Sequence, residues 1–160
     1  MSDHSFLKWP FFEDKHRTLV VELEKWAKSE LIEYSSPTNV DTACRELVVK
    51  LAEAGWLDYC VTKGYGGKYS NLDVRSLCLI RETLSRFSGL ADFVFAMQGL
   101  GSGTISLFGS DDLKENYLPD VRNGKKIAAF ALTETEAGSD AAALTTTAEQ
   151  DGDSFVLNGE

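Results

Sequence analysis

The hydrophobic periodicity of this chain changes at Ile127, and that change limits the fold to helices followed by strands. Before Ile127, apolar residues recur three and four apart. Leu19, Val20, Leu23, Trp26, Ala27 and Leu31 do so between Asp14 and Tyr34. That spacing lines one face of a helix. Ser35–Asn39 breaks it, and Cys44, Leu47, Val48 and Leu51 predict a second helix over about Asp41–Ala54, with Gly55 as its C-terminal cap. Three glycines in Lys63–Lys68 predict a loop. Ser70-x-x-Asp73 has the form of a capping box and opens a third helix, with Leu77, Ile80, Leu84 and Phe87 inward. A fourth starts after Ser88-Gly89. It looks apolar on most sides (Leu90, Phe93, Val94, Phe95, Met97, Leu100), which predicts a central place in its domain. Ser110-Asp111-Asp112 starts a short fifth helix whose extent Pro119 is expected to limit.

After Ile127 the pattern is that of strands. Ile127–Thr133, Leu144–Glu149 and Ser154–Asn158 are expected to be strands, with Asp151-Gly152-Asp153 as a hairpin turn. With 160 residues the chain has room for one domain and part of another. The boundary is set near Lys125: a helical domain over 1–125, then the beginning of a β-domain over 126–160. Three strands bury too little to stand alone. The expected fold class is mainly α, an all-α N-terminal domain followed by the first strands of an incomplete, barrel-like β-domain.

Net charge is −9, which argues against nucleic acid as a partner, since that needs a basic surface. Cys44, Cys60 and Cys78 are odd in number and widely spaced, so they read as reduced thiols. No apolar run approaches the ~18 residues of a membrane span. The N-terminus lacks a secretory profile, and a cytoplasmic location is expected. His4 and His16 lie far in sequence from any carboxylate or thiol cluster, so no metal site is expected. Gly99-Leu100-Gly101-Ser102-Gly103 sits inside an apolar helical stretch without a preceding strand. It reads as close helix packing rather than a dinucleotide fingerprint.

The segment Phe130–Asp140 offers chemistry. Ala137-Gly138-Ser139 is small enough for a ligand to approach the backbone, and Thr133 and Ser139 carry hydroxyls. On these residues alone, a tight turn or a helix start capped by Ser139 or Asp140 is the simpler account. Four motifs then bear on it together. They are Gly64-Tyr65-Gly66-Gly67, Asp112–Pro119 followed by Asn123-Gly124, Phe130–Asp140 itself, and Gly152–Gly159. In that order they resemble the acyl-CoA dehydrogenase family from about residue 40 onward. Two positions depart from the family pattern: Gly64 stands in a Glu slot, and Thr135 stands where Pro is usual.

The resemblance implies an FAD-dependent oxidoreductase of fatty acid metabolism. It would remove a proton from the α-carbon and a hydride from the β-carbon of an acyl-CoA and pass electrons to an electron-transfer flavoprotein. Carried over residue by residue, Phe130, Ala131, Leu132, Thr133, Glu134, Gly138 and Ser139 would line the cofactor. Thr133 would bond the pyrimidine end of the flavin, and Ser139 would sit near the pyrophosphate and the CoA portion. Phe130 and Leu132 would lie near the thioester. Glu134 is tempting as a base, but the family does not use it so; a turn residue making structural hydrogen bonds is expected. The family's catalytic Glu would lie beyond Glu160, leaving no catalytic residue here. The chain is therefore expected to be an inactive N-terminal portion that exposes apolar surface, of a protein that is a homo-oligomer when full length. A related oxidase or flavin monooxygenase, or a non-catalytic helical interaction module, stays open.

Overall fold

Each expected helix forms, and the polar residue before it shows why it starts there. The computed structural model describes residues 3–160; the first two positions of the expected 1–125 domain lie outside it. Helix α1 spans Asp14–Glu30, with a 3₁₀ turn at Ile32–Tyr34 completing what the spacing read as one helix. Helix α2 spans Val40–Glu53, α3 Val74–Phe87, α4 Gly89–Phe108 and α5 Asp111–Arg122. Asn39, Asp73, Ser88 and Ser110 each accept a backbone N–H of the first turn that follows. The expected box at Ser70–Asp73 is corrected here: Asp73 is itself the N-cap of α3, accepting from Arg75 N–H. Gly55, with φ of 77°, ends α2 in the left-handed region as expected.

Packing joins α1 to α3, α3 to α4, and α4 to both α2 and α5. Leu19, Leu23, Leu47, Leu51, Ile80, Leu84 and Phe95 form the centre of the core and are almost fully buried. The expectation for α4 is met on one side only. Ala91, Val94 and Phe95 are buried, but Phe93 and Leu100 are about half exposed, and Leu107 and Phe108 more so. Pro119 does not stop α5, which runs on to Arg122. The lost N–H bond is tolerated because the last turn is anchored by Leu118 and Val121, both buried.

Buried polar side chains tie these helices together. Gln98 on α4 is 1% exposed. Its amide donates to the carbonyls of Val121 and Lys126, and its oxygen accepts from Ala128 N–H at 2.6 Å. Gly101, one turn on, faces the same segment, and a Cβ there would sit 2.8 Å from that of Ala128. The glycine-rich stretch of α4 is thus a close-packing device, as expected.

The contacts divide the chain after Ala129, and Phe130–Glu160 forms a second unit. It holds an antiparallel hairpin, β1 (Thr147–Asp151) and β2 (Ser154–Asn158), turning at Gly152 with φ of 61°. Two of the three expected strands need correction. Leu144–Glu149 begins later, after a 3₁₀ turn at Ala141–Ala143, and Ile127–Thr133 is extended but is not a strand. Among the described residues no segment lies beside it to complete a ladder, and a strand exists only through its partner. Every residue of β1 and β2 is exposed.

Candidate functional site

Among the described residues, one feature in each unit bears on a ligand. The first is the segment Phe130–Ser139. Phe130 is 45% and Leu132 42% exposed, and Ala131, Thr133, Gly138 and Ser139 are exposed as well. Among the described residues nothing bonds the backbone N–H of Phe130, Ala131, Leu132 or Thr133, nor the hydroxyls of Thr133 and Ser139. The segment is a row of free donors beside two apolar side chains.

Glu134 and Ala137 close the segment with a tight turn, exchanging backbone bonds of 2.9 and 3.3 Å. The Glu134 carboxylate then reaches across the unit. It accepts from Thr145 N–H at 2.7 Å, Thr145 Oγ1 at 2.8 Å and Thr146 N–H at 2.9 Å. The Thr146 side chain, then these backbone N–H groups and the Thr145 hydroxyl, pull its pKa down to about 2. A carboxylate so fully occupied is a poor base, which matches its expected structural part. The expected cap is not made. Asp140 precedes Ala141–Ala143 without a side-chain bond to it, and Ser139 stays free.

The second feature lies in the helical unit. A cavity of ≈ 160 Å³ opens between α3, α4 and the turn that carries Cys60. Leu72, Leu77, Phe95, Gly99 and Leu100 line it, and its walls are almost wholly apolar. Burial, and then Asp58, push the Cys60 thiol up to about 12, so it is a neutral wall. Arg81 is the charged residue in the lining, and its Nε and Nη2 donate to the two carboxylate oxygens of Asp92 at 2.8 and 3.0 Å. On α4 it is Phe95, Ala96, Gly99 and Leu100 that face the space.

The loop Gly64–Gly67 is shaped by its glycines. Gly66 has φ of 93°, and a Cβ on Gly67 would run into the Val61 carbonyl. Asp58 bonds Lys68 N–H through its carbonyl and Arg122 of α5 through both carboxylate oxygens, fixing the loop to the helix.

Each histidine faces one carboxylate that is distant in sequence. His4 Nε2 lies 3.0 Å from Glu24, and His16 Nε2 lies 3.0 Å from Asp73, 57 residues away. His16 is fully buried, and its Nδ1 accepts from Glu13 N–H. It therefore donates through Nε2, with no ring nitrogen left for chemistry. The sequence signal was available: a histidine on the apolar stripe of α1.

Residues 13–125 match the family described as acyl-CoA dehydrogenase, N-terminal domain. The chain belongs to that family. It is 36% identical over 151 residues to a 3-(aryl)acrylate reductase of Clostridium sporogenes, covering 93% of this chain and 40% of the relative. It is 38% identical over 116 residues to caffeyl-CoA reductase-Etf complex subunit CarC of Acetobacterium woodii, covering 72% of this chain and 30% of that one. Among solved structures it resembles an acyl-CoA dehydrogenase complexed with FAD from Bacillus anthracis. The TM-score is 0.76 and the identity 37%, over 92% of this chain and 26% of the other. The chain thus spans less than half the length of these relatives. No helix among the described residues is long and apolar enough to cross a membrane.

Proposed function

We propose that this chain serves as the N-terminal part of an FAD-dependent acyl-CoA dehydrogenase acting on the α,β-bond of an acyl-CoA. The observation that carries the reading is the free-donor segment. Phe130–Thr133 presents unpaired N–H groups, a free hydroxyl and two exposed apolar side chains, in a chain of this family. Those groups fit a flavin: its ring edge is rich in acceptors, and its ring faces are apolar. Thr133 and the neighbouring N–H groups would hold the ring edge, Ser139 the pyrophosphate, and Phe130 and Leu132 the apolar face. Ala131, Glu134 and Gly138 would shape that wall, Glu134 by fixing the turn. When bound, FAD supplies the hydride acceptor. This chain's residues orient and exclude water, and the base is expected from elsewhere in the full protein. The apolar surface exposed on α4 and β2 supports cover by further polypeptide. An electron-transfer flavoprotein is the proposed electron partner, and the full-length enzyme a homo-oligomer.

A flavin spectrum of this chain, and of any longer product of the same gene, tests the reading. The longer product should be yellow and bleach with an acyl-CoA, while this chain alone should bind FAD weakly or not at all. A colourless longer product would overturn it. Oxygen consumption during turnover would point instead to an oxidase or monooxygenase. The reductive direction is a second reading, favoured by the two relatives named as reductases. Anaerobic reoxidation of the reduced flavin by an enoyl-CoA, without bleaching by the saturated thioester, would select it.

A further inference from the structure

The sequence holds two Asn-Gly pairs, Asn123-Gly124 and Asn158-Gly159, and the fold treats them oppositely. An asparagine followed by glycine can close on itself, because no side chain shields the glycine nitrogen. That nitrogen attacks the asparagine Cγ and a new C–N bond forms. The side-chain amide leaves as ammonia, taking the proton that the nitrogen gives up. Water then opens the five-membered imide at either carbonyl. One opening gives aspartate. The other gives isoaspartate, in which the main chain runs through the side chain and is one carbon longer. Water is the co-reactant, and no electrons are exchanged.

The first pair is locked. Asn123 is the C-cap of α5, and its Oδ1 accepts from Arg122 Nη1 at 2.7 Å. Gly124 N–H, the group that would attack, donates to the Val121 carbonyl at 3.1 Å. Gly124 has φ of 71°, and a Cβ there would lie 3.0 Å from that of Ala52, so α2 packs tightly on this turn. The second pair is open. Asn158 forms the last pair of the hairpin ladder, opposite Thr147, and is exposed. Among the described residues nothing accepts the Gly159 N–H or bonds the Asn158 side chain. The end pair of a two-stranded ribbon opens at little cost, whereas a turn packed on a helical core opens with that core.

We propose that Asn158 is a site of spontaneous modification, converting to aspartate and isoaspartate in the folded chain, and that Asn123 is not. The consequence falls on the candidate site. Gly159 lies directly against Thr146, where a Cβ would collide with the Thr146 side chain. Thr146 N–H bonds the Glu134 carboxylate, and Glu160 accepts from the Thr135 hydroxyl at 3.1 Å. A main chain one carbon longer at residue 158 moves Gly159 and Glu160 off both partners. The inference needs neither cofactor nor substrate and stands apart from the dehydrogenase reading.

The test ages this chain at mildly alkaline pH, in buffer and in guanidinium chloride. Isoelectric focusing counts the added negative charge, and peptide mapping by mass spectrometry locates it. In denaturant both pairs should convert at similar rates, because their local chemistry is the same. In buffer Asn158 should stay within about tenfold of its denatured rate, while Asn123 slows by about a hundredfold or more. Asn158→Gln should stop the charge change, since its ring would be six-membered and closes far more slowly. Asn158→Asp carries the charge without the longer main chain. It should keep the amide protection of Thr146 that the isoaspartate fraction loses. The proposal is overturned if the two sites react alike in buffer, if Asn158→Gln gains charge as fast as the parent, or if the isoaspartate fraction protects Thr146 as the parent does.

Discussion

The helical unit and the hairpin unit are stabilised by opposite means. In the first, apolar side chains are removed from water and a few buried polar groups bridge one helix to another. In the second, both strands are exposed on every residue, and the geometry comes from hydrogen bonds made at the surface. Burial contributes free energy in proportion to area, whereas a surface hydrogen bond exchanges one partner for water and contributes little. The helices therefore encode their own stability. The segment Phe130–Glu160 encodes a shape.

The same truncation in each unit is the most severe test of that contrast. Leu47 is fully buried and Leu157 is 71% exposed. Leu47→Ala should lower the unfolding free energy by about 2–5 kcal/mol. Leu157→Ala should change it by no more than about 0.5 kcal/mol. Urea melts followed by far-ultraviolet circular dichroism measure both. Equal losses would mean that the hairpin is part of the core.

Next in size is the His16–Asp73 bridge between the starts of α1 and α3. His16→Ala leaves Glu13 N–H and the Asp73 carboxylate each short of a partner, a loss of about 2–3 kcal/mol. Burial alone would raise the pKa of Asp73. The hydrogen bonds from His16 and Lys15, with the charge of Lys15, outweigh it and hold the carboxyl below the usual range. A folded pKa below the unfolded one means a contribution complete at neutral pH. It begins to fade as pH drops through the ordinary aspartate value of 3.8 and is lost at still lower pH. Melts between pH 7 and pH 3 should show a flat profile with only the onset of this loss at the acid end, and Asp73→Asn should remove that onset.

Gln98 tests the seam at the end of the helical unit. Gln98→Ala orphans Ala128 N–H and the carbonyl of Lys126, at about 1–3 kcal/mol, while the Val121 carbonyl keeps its bond from Gly124 N–H. Hydrogen exchange at Ala128 should speed up more than exchange in α1. Uniform acceleration would assign Gln98 to the global core instead.

The same contrast explains what was legible beforehand. Helices declare themselves within one segment, because Leu19, Leu23 and Leu31 share a face whatever lies opposite. Caps are equally local, and Gly55 was readable for that reason. Strand pairing is not local: Ile127–Thr133 has the composition of a strand and no neighbour to make it one. Pro119 misled because tertiary anchoring at Leu118 and Val121 outweighs a lost hydrogen bond. The His16–Asp73 contact joins residues 57 positions apart, and the cavity arises where three elements meet, so neither has a signature in one stretch. In the candidate site, Thr133 and Ser139 could be named from their motif, but their freedom from internal partners could not.

Glu134 gives the smallest expected effect on stability and the sharpest on shape. Its carboxylate ties the turn at Ala137 to the start of the hairpin through Thr145 and Thr146. Glu134→Ala should leave the urea midpoint of the helical unit where it was, since nothing in that core is altered. Within Phe130–Glu160, the amides of Thr145 and Thr146 should lose protection and shift toward random-coil values. Glu134→Gln should restore only part of the tie, because a neutral amide oxygen is a weaker acceptor than a carboxylate. The depressed pKa makes a further check. With a folded value of about 2 against 4.5 unfolded, the tie should survive a titration to pH 4 and fail only as pH approaches 2. If the Thr145 amide signal moves near pH 4.5 instead, the carboxylate is not engaged as described, and the hairpin unit owes its shape to the β-turn at Gly152 alone.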